Sequence, residues 1–199
     1  LFASLTLSIM TGFLSCGKDD AQVQYEPALY PLSFGSFPPP PISPDNKPTL
    51  AGVKLGRMLF YEKRLSQDNS LSCGSCHKQK DGFSDIRRFS LGTKGLPGRR
   101  QAMPLANLAW HQFGFFWDGR SMTLRDQALH PIQDTLEMNA SLPEVVNKLQ
   151  SDPSYKDQFI RAFGDDVISP ERITLAIEQF EITLISNHAK YDDYLAGLA

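Results

Sequence analysis

Only three cysteines occur in the 199 residues, Cys16, Cys73 and Cys76, too few and too unevenly spaced for a disulfide framework. Lys and Arg number 20 against 22 Asp and Glu, a formal charge of −2. No run of cations is dense enough for a nucleic-acid footprint, so no nucleic-acid partner is expected. No apolar run reaches the roughly 20 residues that a membrane-spanning helix needs. No alternation of apolar and polar residues marks a strand. Histidine is scarce too, four in all, and His111, His130 and His188 stand isolated. What is present is ordinary: 41% hydrophobic and 11% aromatic residues, enough for one sizeable domain or two small ones.

Leu1 to Gly17 carries no charge and is apolar through Leu5, Leu7, Ile9, Met10, Phe13 and Leu14. Small residues flank Cys16, and the polar Lys18-Asp19-Asp20 follows at once. This resembles a bacterial lipoprotein signal with Cys16 as the lipidated residue; an ordinary cleaved signal peptide is the alternative. Either reading exports the mature chain to the periplasm or cell envelope, touching a membrane only through a lipid anchor. The missing initiator Met and basic start read as a lost N-terminal end. Residues 17–48 hold Pro27, Pro31, four successive prolines from Pro38 to Pro41, and Pro44, which favour extended backbone without amide donors. We read this stretch as a tether. A strap across the domain surface, held by Tyr25, Tyr30, Phe34 and Phe37, is the other reading. The division is thus 1–16 signal, 17–48 tether and 49–199 folded domain.

The folded part reads as all-α with long loops. Pro48 suits a first helical turn, with Leu50, Val53 and Met58 or Leu59 behind it. Ser141-Leu142-Pro143-Glu144 has capping-box spacing before Val145, Val146 and Leu149. Asp152-Pro153 opens a helix with Tyr155, Phe159, Ile160 and Phe163 on one side, stopped by Gly164. Ser169-Pro170 opens a longer one carrying Ile173, Ile177, Phe180 and Leu184, and a last segment falls near Tyr191, Tyr194 and Leu195. Residues 81–120, rich in Gly and aromatics, predict long loops with short helical pieces, and loops that long usually have a job.

Leu71-Ser72-Cys73-Gly74-Ser75-Cys76-His77 contains C-x-x-C-H. Two thiols three residues apart can add to the two vinyl groups on one edge of a haem, and the adjacent His presents its imidazole to the iron. A thioredoxin-like pair would need a strand–turn–helix setting, and a zinc site a second Cys or His pair; neither is visible. One covalently bound haem c, held by Cys73, Cys76 and axial His77, is the expectation. No histidine lies between His77 and His111. Met103 could reach the iron but is read as packing. An iron without an obvious distal ligand is one that binds substrate.

Beyond this site the chain resembles the bacterial dihaem cytochrome c peroxidase family, which includes the haem enzyme that matures methylamine dehydrogenase. The resemblance rests on Leu55 to Tyr61, Arg64-Leu65-Ser66, Ser72 to His77, Phe83-Ser84-Asp85, Gly98-Arg99-Arg100 and Pro104 to Trp110. It continues through Phe116-Trp117-Asp118-Gly119-Arg120, Gln127-Ala128-Leu129, Pro131-Ile132, Glu137-Met138-Asn139 and Tyr191 to Gly197, so it runs from about Thr49 to the end. It implies a cytochrome c-like peroxidatic haem domain that reduces hydrogen peroxide with electrons from a c-type cytochrome or similar small donor. Glu137 would then be the distal acid/base, a role that suits a desolvated carboxyl. Gln127 would donate a hydrogen bond to bound peroxide, and Pro131 would wall the pocket and end its helix. Trp117 would relay electrons, and Asp118 with Arg120 would form a buried turn pair.

Departures from the family pattern carry their own implications. Gly92-Thr93-Lys94-Gly95 stands where many members have a His that closes the iron until a partner haem is reduced, which suggests an iron open at rest. Gln101 stands where members tend to have the Asn that helps hold a calcium ion, and the longer side chain argues against calcium here. The family's second C-x-x-C-H, in a C-terminal haem domain, has no counterpart, so the chain reads as part of a longer dihaem protein; a homodimer is compatible with the pattern. Two other classes remain open: a monohaem electron-transfer module without catalysis, and a haem oxidase of the protein-maturing type.

Overall fold

The computed structural model describes residues 22–198; the apolar leader, the division at 16 and Cys16 lie outside them. Seven α-helices occur among these residues: α1 (Leu50–Phe60), α2 (Cys73–Cys76), α3 (Leu124–Gln133), α4 (Leu142–Gln150), α5 (Pro153–Phe163), α6 (Pro170–Ile182) and α7 (Lys190–Leu195). Extended pairing is confined to four isolated bridges, so the described chain is all-α. None of its helices is long and apolar enough to cross a membrane.

The caps explain the starts. Thr49, Thr123, Ser141, Asp152 and Ser169 each accept a backbone N–H of the first turn, satisfying donors that have no partner inside the helix. Pro48 precedes the cap of α1 instead of entering its first turn. The Ser141 box is only half formed: Ser141 Oγ accepts from Glu144 N at 3.4 Å, while the Glu144 carboxylate pairs with Lys148 at 2.8 Å. Gly164, in the left-handed region, ends α5. α6 stops at Ile182, leaving Leu184 in the segment beyond.

The main core joins α1, α3, α4, α5 and α6 through Leu55, Leu59, Ile132, Leu149, Phe159 and Ile177. α6 runs through its centre, against α1 and α3. A Cβ on Gly56 would lie 1.9 Å from the Ala176 carbonyl oxygen, so the α1–α6 crossing is a direct backbone approach that only glycine allows. A second apolar cluster of Val53, Phe60, Leu105 and Phe180 reaches Cys73 and Phe83, and thereby anchors the C-x-x-C-H turn on the helical core.

For residues 22–48 the contacts are those of the strap. The Glu26 and Tyr30 amides donate to Arg161 and Pro48 carbonyls, Trp110 Nε1 donates to Pro38 O at 2.8 Å, and Phe34 and Phe37 meet the Trp110 ring edge-on. Asn46 is buried, donating to Glu178 Oε2 at 2.6 Å and accepting from Gln179 Nε2 at 2.7 Å. The prolines leave few amides to satisfy, so an extended segment can lie on the domain without a sheet partner.

Candidate active site

α2 carries Cys73 and Cys76, and His77 is its C-terminal cap. The two thiols are free. Burial pushes both upward, Cys73 to about 12, opposite to the depressed thiol of a redox C-x-x-C pair. His77 Nδ1 lies 3.0 Å from the Phe83 carbonyl and 2.9 Å from that of Met103. Both partners only accept, so Nδ1 carries the proton and Nε2 keeps its lone pair. Burial lowers the imidazole's proton affinity, against the two carbonyls, and keeps the ring neutral. This is the orientation that second-sphere carbonyls impose on a metal-binding histidine.

Phe83 adopts φ 56° and Phe116 φ 66°, a left-handed conformation that costs a bulky residue about 1–3 kcal/mol. The first aims a carbonyl at His77. The second lies inside the tight loop that presents Trp117, closed by the Phe115 N–H to Ser121 O bond at 2.6 Å.

One cavity of about 700 Å³ is lined by Cys73, Cys76, His77, Trp117, Gln127, Pro131 and Glu137, so every site residue named from the sequence meets there. Its volume lies within the usual 300–1,000 Å³ or so of cofactor pockets. Two free thiols, a histidine with Nδ1 tied back and Nε2 bare, and this space fit a haem attached at Cys73 and Cys76. Met103 also borders the cavity, and its carbonyl acts on the His77 side.

α3 supplies Gln127 and Pro131. Pro131 sits within α3, which continues to Gln133, so it does not end the helix; its missing N–H frees the Gln127 carbonyl from the i−4 bond. The turn after α3 carries Glu137, whose N–H donates to Asp134 O and whose carbonyl accepts from Thr93 N, both at 2.9 Å. A Cβ on Gly92 would lie 2.0 Å from Leu136 O and 2.8 Å from Glu137 O; glycine is what lets this loop seat against the Glu137 turn. The Glu137 carboxyl has surface facing the cavity, yet enclosure by protein raises its pKa, helped by Asp134 and opposed by Arg120 and Arg99.

Trp117 is 58% exposed, with Nε1 donating to Gln101 O at 3.0 Å, so it is no core residue. Asp118 accepts from Arg120 and from Arg100 at 2.8 and 2.9 Å; the turn pair exists but is exposed, because the loop stands off the core. His111 and His130 lie at the cavity's exposed rim, their rings against Phe115 and Phe116. Gln101 donates through Nε2 to Asp85 O at 3.0 Å.

Sequence reasoning missed three contributors. The Phe83 and Met103 carbonyls act through backbone, which side-chain identity does not reveal. Glu181 of α6, buried in the cavity wall, was hidden in a helical pattern where a single carboxylate reads as a solvated face; its place one turn after the buried Ile177 was the available signal.

A family model described as di-haem cytochrome c peroxidase matches residues 50–199. The methylamine utilization protein MauG of Methylophilus methylotrophus is 40% identical over 159 residues, covering 80% of this chain and 47% of that protein. The cytochrome c551 peroxidase of Nitrosomonas europaea is 36% identical over 195 residues, covering 98% and 55%. A solved MauG-like protein associated with microbial copper homeostasis superposes with a TM-score of 0.77 at 34% identity, covering 85% of this chain and 51% of that one. The chain spans about half the length of the relatives it matches.

Proposed function

Because this chain belongs to the di-haem cytochrome c peroxidase family, we propose that it forms a peroxidatic haem domain that reduces hydrogen peroxide to water. Cys73 and Cys76 would hold haem c by thioether bonds and His77 would offer Nε2 to its iron, and the bound haem would supply the redox chemistry. The reading is carried by one observation: the residues singled out from Cys73 to Glu137 line a single cavity, with His77 tied back through Nδ1.

The side chains divide the work. Glu137, its proton affinity raised by burial, takes a proton from one peroxide oxygen and returns it to the other as the O–O bond breaks. Gln127 donates an amide hydrogen bond that orients peroxide, and Pro131 walls the pocket without offering a competing donor. Trp117, exposed at the rim and fixed through Gln101, is the conduit for electrons from a c-type cytochrome or similar donor. Two electrons and two protons complete the conversion to two waters. A second haem elsewhere in the full-length protein, export to the periplasm or cell envelope, and a lipid anchor at Cys16 belong to the same proposal; Cys16→Ala releasing the protein from membranes is the check on the anchor.

Glu137→Gln keeps the volume and removes the base. In the haem-loaded protein, peroxide turnover should fall by about 10²–10⁴-fold while the haem spectrum and unfolding midpoint hold. In wild type, turnover needs the ionised carboxylate, so it is present above the raised Glu137 pKa and lost as pH falls through it. Turnover that survives Glu137→Gln removes the assigned role. A six-coordinate spectrum unreactive to peroxide would instead indicate an electron-transfer module. The likeness to MauG supports a second reading, oxidation of a partner protein's side chains, which substrate assays separate.

A further inference from the structure

α6 carries two buried carboxylates one turn apart, and the fold treats them oppositely. Glu178 accepts from Asn46 Nδ2 at 2.6 Å and from Arg125 through Nε at 3.0 Å and the guanidinium end at 2.8 Å. Glu181 is 4% exposed, lines the same cavity as His77 and Glu137, and its Oε2 is buried with no hydrogen-bond partner among the described residues. An ionised carboxylate in that position would strip Oε2 of its hydration with no hydrogen bond in return.

Among the described residues no neighbouring element offers a compensating cation. The buried residues of α1, which crosses α6, are apolar or glycine. α2 brings the Cys73 thiol, which feels the Glu181 charge. The short turn Leu108–Trp110 has one polar group, Trp110 Nε1, already used by Pro38. Arg125 of α3 is held by Glu178 and Asp45. Lys148 of α4 is held by Glu144 and the carbonyls of Ser66 and Gln67. Across the cavity, Arg99 and Arg120 face Glu137. Burial first, and then the Glu178 charge, push the Glu181 carboxyl up to about 8.

We propose that Glu181 is a redox-linked proton site of this cavity in alkaline solution, where its carboxyl is ionised: as one electron from a donor reduces ferric haem to ferrous, one proton from solvent joins the Glu181 carboxylate, and the net charge of the enclosure is unchanged. The coupling follows from Coulomb repulsion between two added negative charges in a weakly polar enclosure. It rests on the haem attachment proposed above and not on peroxide chemistry.

The experiment is an equilibrium redox titration of the haem-loaded full chain from pH 6 to 10, carried out on Glu137→Gln, which leaves Glu181 the cavity's one glutamate beside Asp118 and Asp134, and on Glu137→Gln/Glu181→Gln, in which those aspartates remain. The first protein should show a flat midpoint potential at low pH. Above about pH 8 each tenfold fall in proton activity should lower it by up to about 59 mV, the one-electron constant. The double variant should be flat throughout. A flat profile in the first, or the same slope in both, overturns the proposal. If the double variant does not load haem, redox-difference infrared spectra of the first decide: reduction at pH 9 must create the carbonyl stretch of a protonated carboxylic acid, and its absence overturns the coupling. A protein that couples in this way but ignores peroxide sinks the peroxidase reading alone; one that turns over peroxide with a pH-flat potential sinks Glu181 alone.

Discussion

The helical scaffold and the loop that crosses it, residues 81–123, are held together by different means. In the scaffold, α1, α4, α5 and α6 begin at side-chain caps and close over Leu55, Leu149 and Phe159, none with measurable exposure. In the loop, backbone groups are satisfied piecemeal, through isolated bridges and side-chain bonds such as Ser84 Oγ to Ala102 O at 2.7 Å. It leaves Phe113 88% exposed and holds Phe83 and Phe116 in a costly conformation. Burial sets the stability of the first region. The second is stabilised by these local bonds and by being laid on the first, and it contributes much of the cavity.

The largest effect should come from cutting the scaffold where the loop takes no part. Phe159→Ala removes a fully buried ring from the α5 side of the core and should cost about 3–5 kcal/mol in denaturant unfolding. Peroxide reactivity per folded molecule should stay near wild type, since α5 contributes nothing to the cavity wall. A loss of reactivity matching the loss of stability would mean the two regions are one cooperative unit.

The same contrast decides what could be read from the sequence. α5 and α6 were legible because cap, proline and apolar spacing are local signals written within a few residues. The C-x-x-C-H turn was legible because its chemistry is carried by three side chains in a row. Glu137, Gln127 and Trp117 were visible only through resemblance, since a carboxylate, an amide and an indole at those spacings have no local pattern that separates site from surface. The strap was ambiguous for a related reason: Pro38 to Pro41 dictate extended backbone, but Asn46 finds Gln179 more than a hundred residues away. Pro131 misled, because a proline tolerated inside a helix and one that ends it look alike until the rest of the turn is known. Glu181 was passed over because the partner that a buried acid ordinarily needs is missing, and sequence does not show a missing partner.

A medium effect should follow from disturbing the seam between the regions. Gly92→Ala places a methyl group 2.0 Å from the Leu136 carbonyl oxygen, so either the loop lifts or the Glu137 turn moves, and the Thr93 N–H to Glu137 carbonyl bond is lost or stretched. Misplacing a catalytic group by an ångström costs roughly 10²-fold, and a fall in peroxide rate of about that size is expected. Overpacking typically costs about 1–3 kcal/mol, and the unfolding loss should lie toward the lower end because the loop is little buried. An unfolding loss at the upper end with an intact rate would place the loop in the scaffold's stability and not in the positioning of Glu137.

The smallest effects are the sharpest comparison, because chemistry of one kind can be removed from a helix that lines the cavity and from one that does not. Thr123 caps α3 by accepting the Asp126 N–H at 3.1 Å, and Asp152 caps α5 by accepting the Ser154 N–H at 2.9 Å. Replacing either by Ala should cost about 1 kcal/mol of unfolding free energy, with Asp152→Ala the larger because it also breaks the 3.1 Å pair with Arg64. Their consequences for reactivity should diverge in the opposite order. A frayed first turn of α3 loosens the helix one turn from Gln127 and two from Pro131, so Thr123→Ala should slow the peroxide reaction several-fold in stopped-flow measurements. A frayed α5 has no residue in the cavity to displace, and Asp152→Ala should leave that rate alone. The variant that unfolds more easily should therefore be the one that reacts normally, an ordering that a site stabilised only by global packing could not produce.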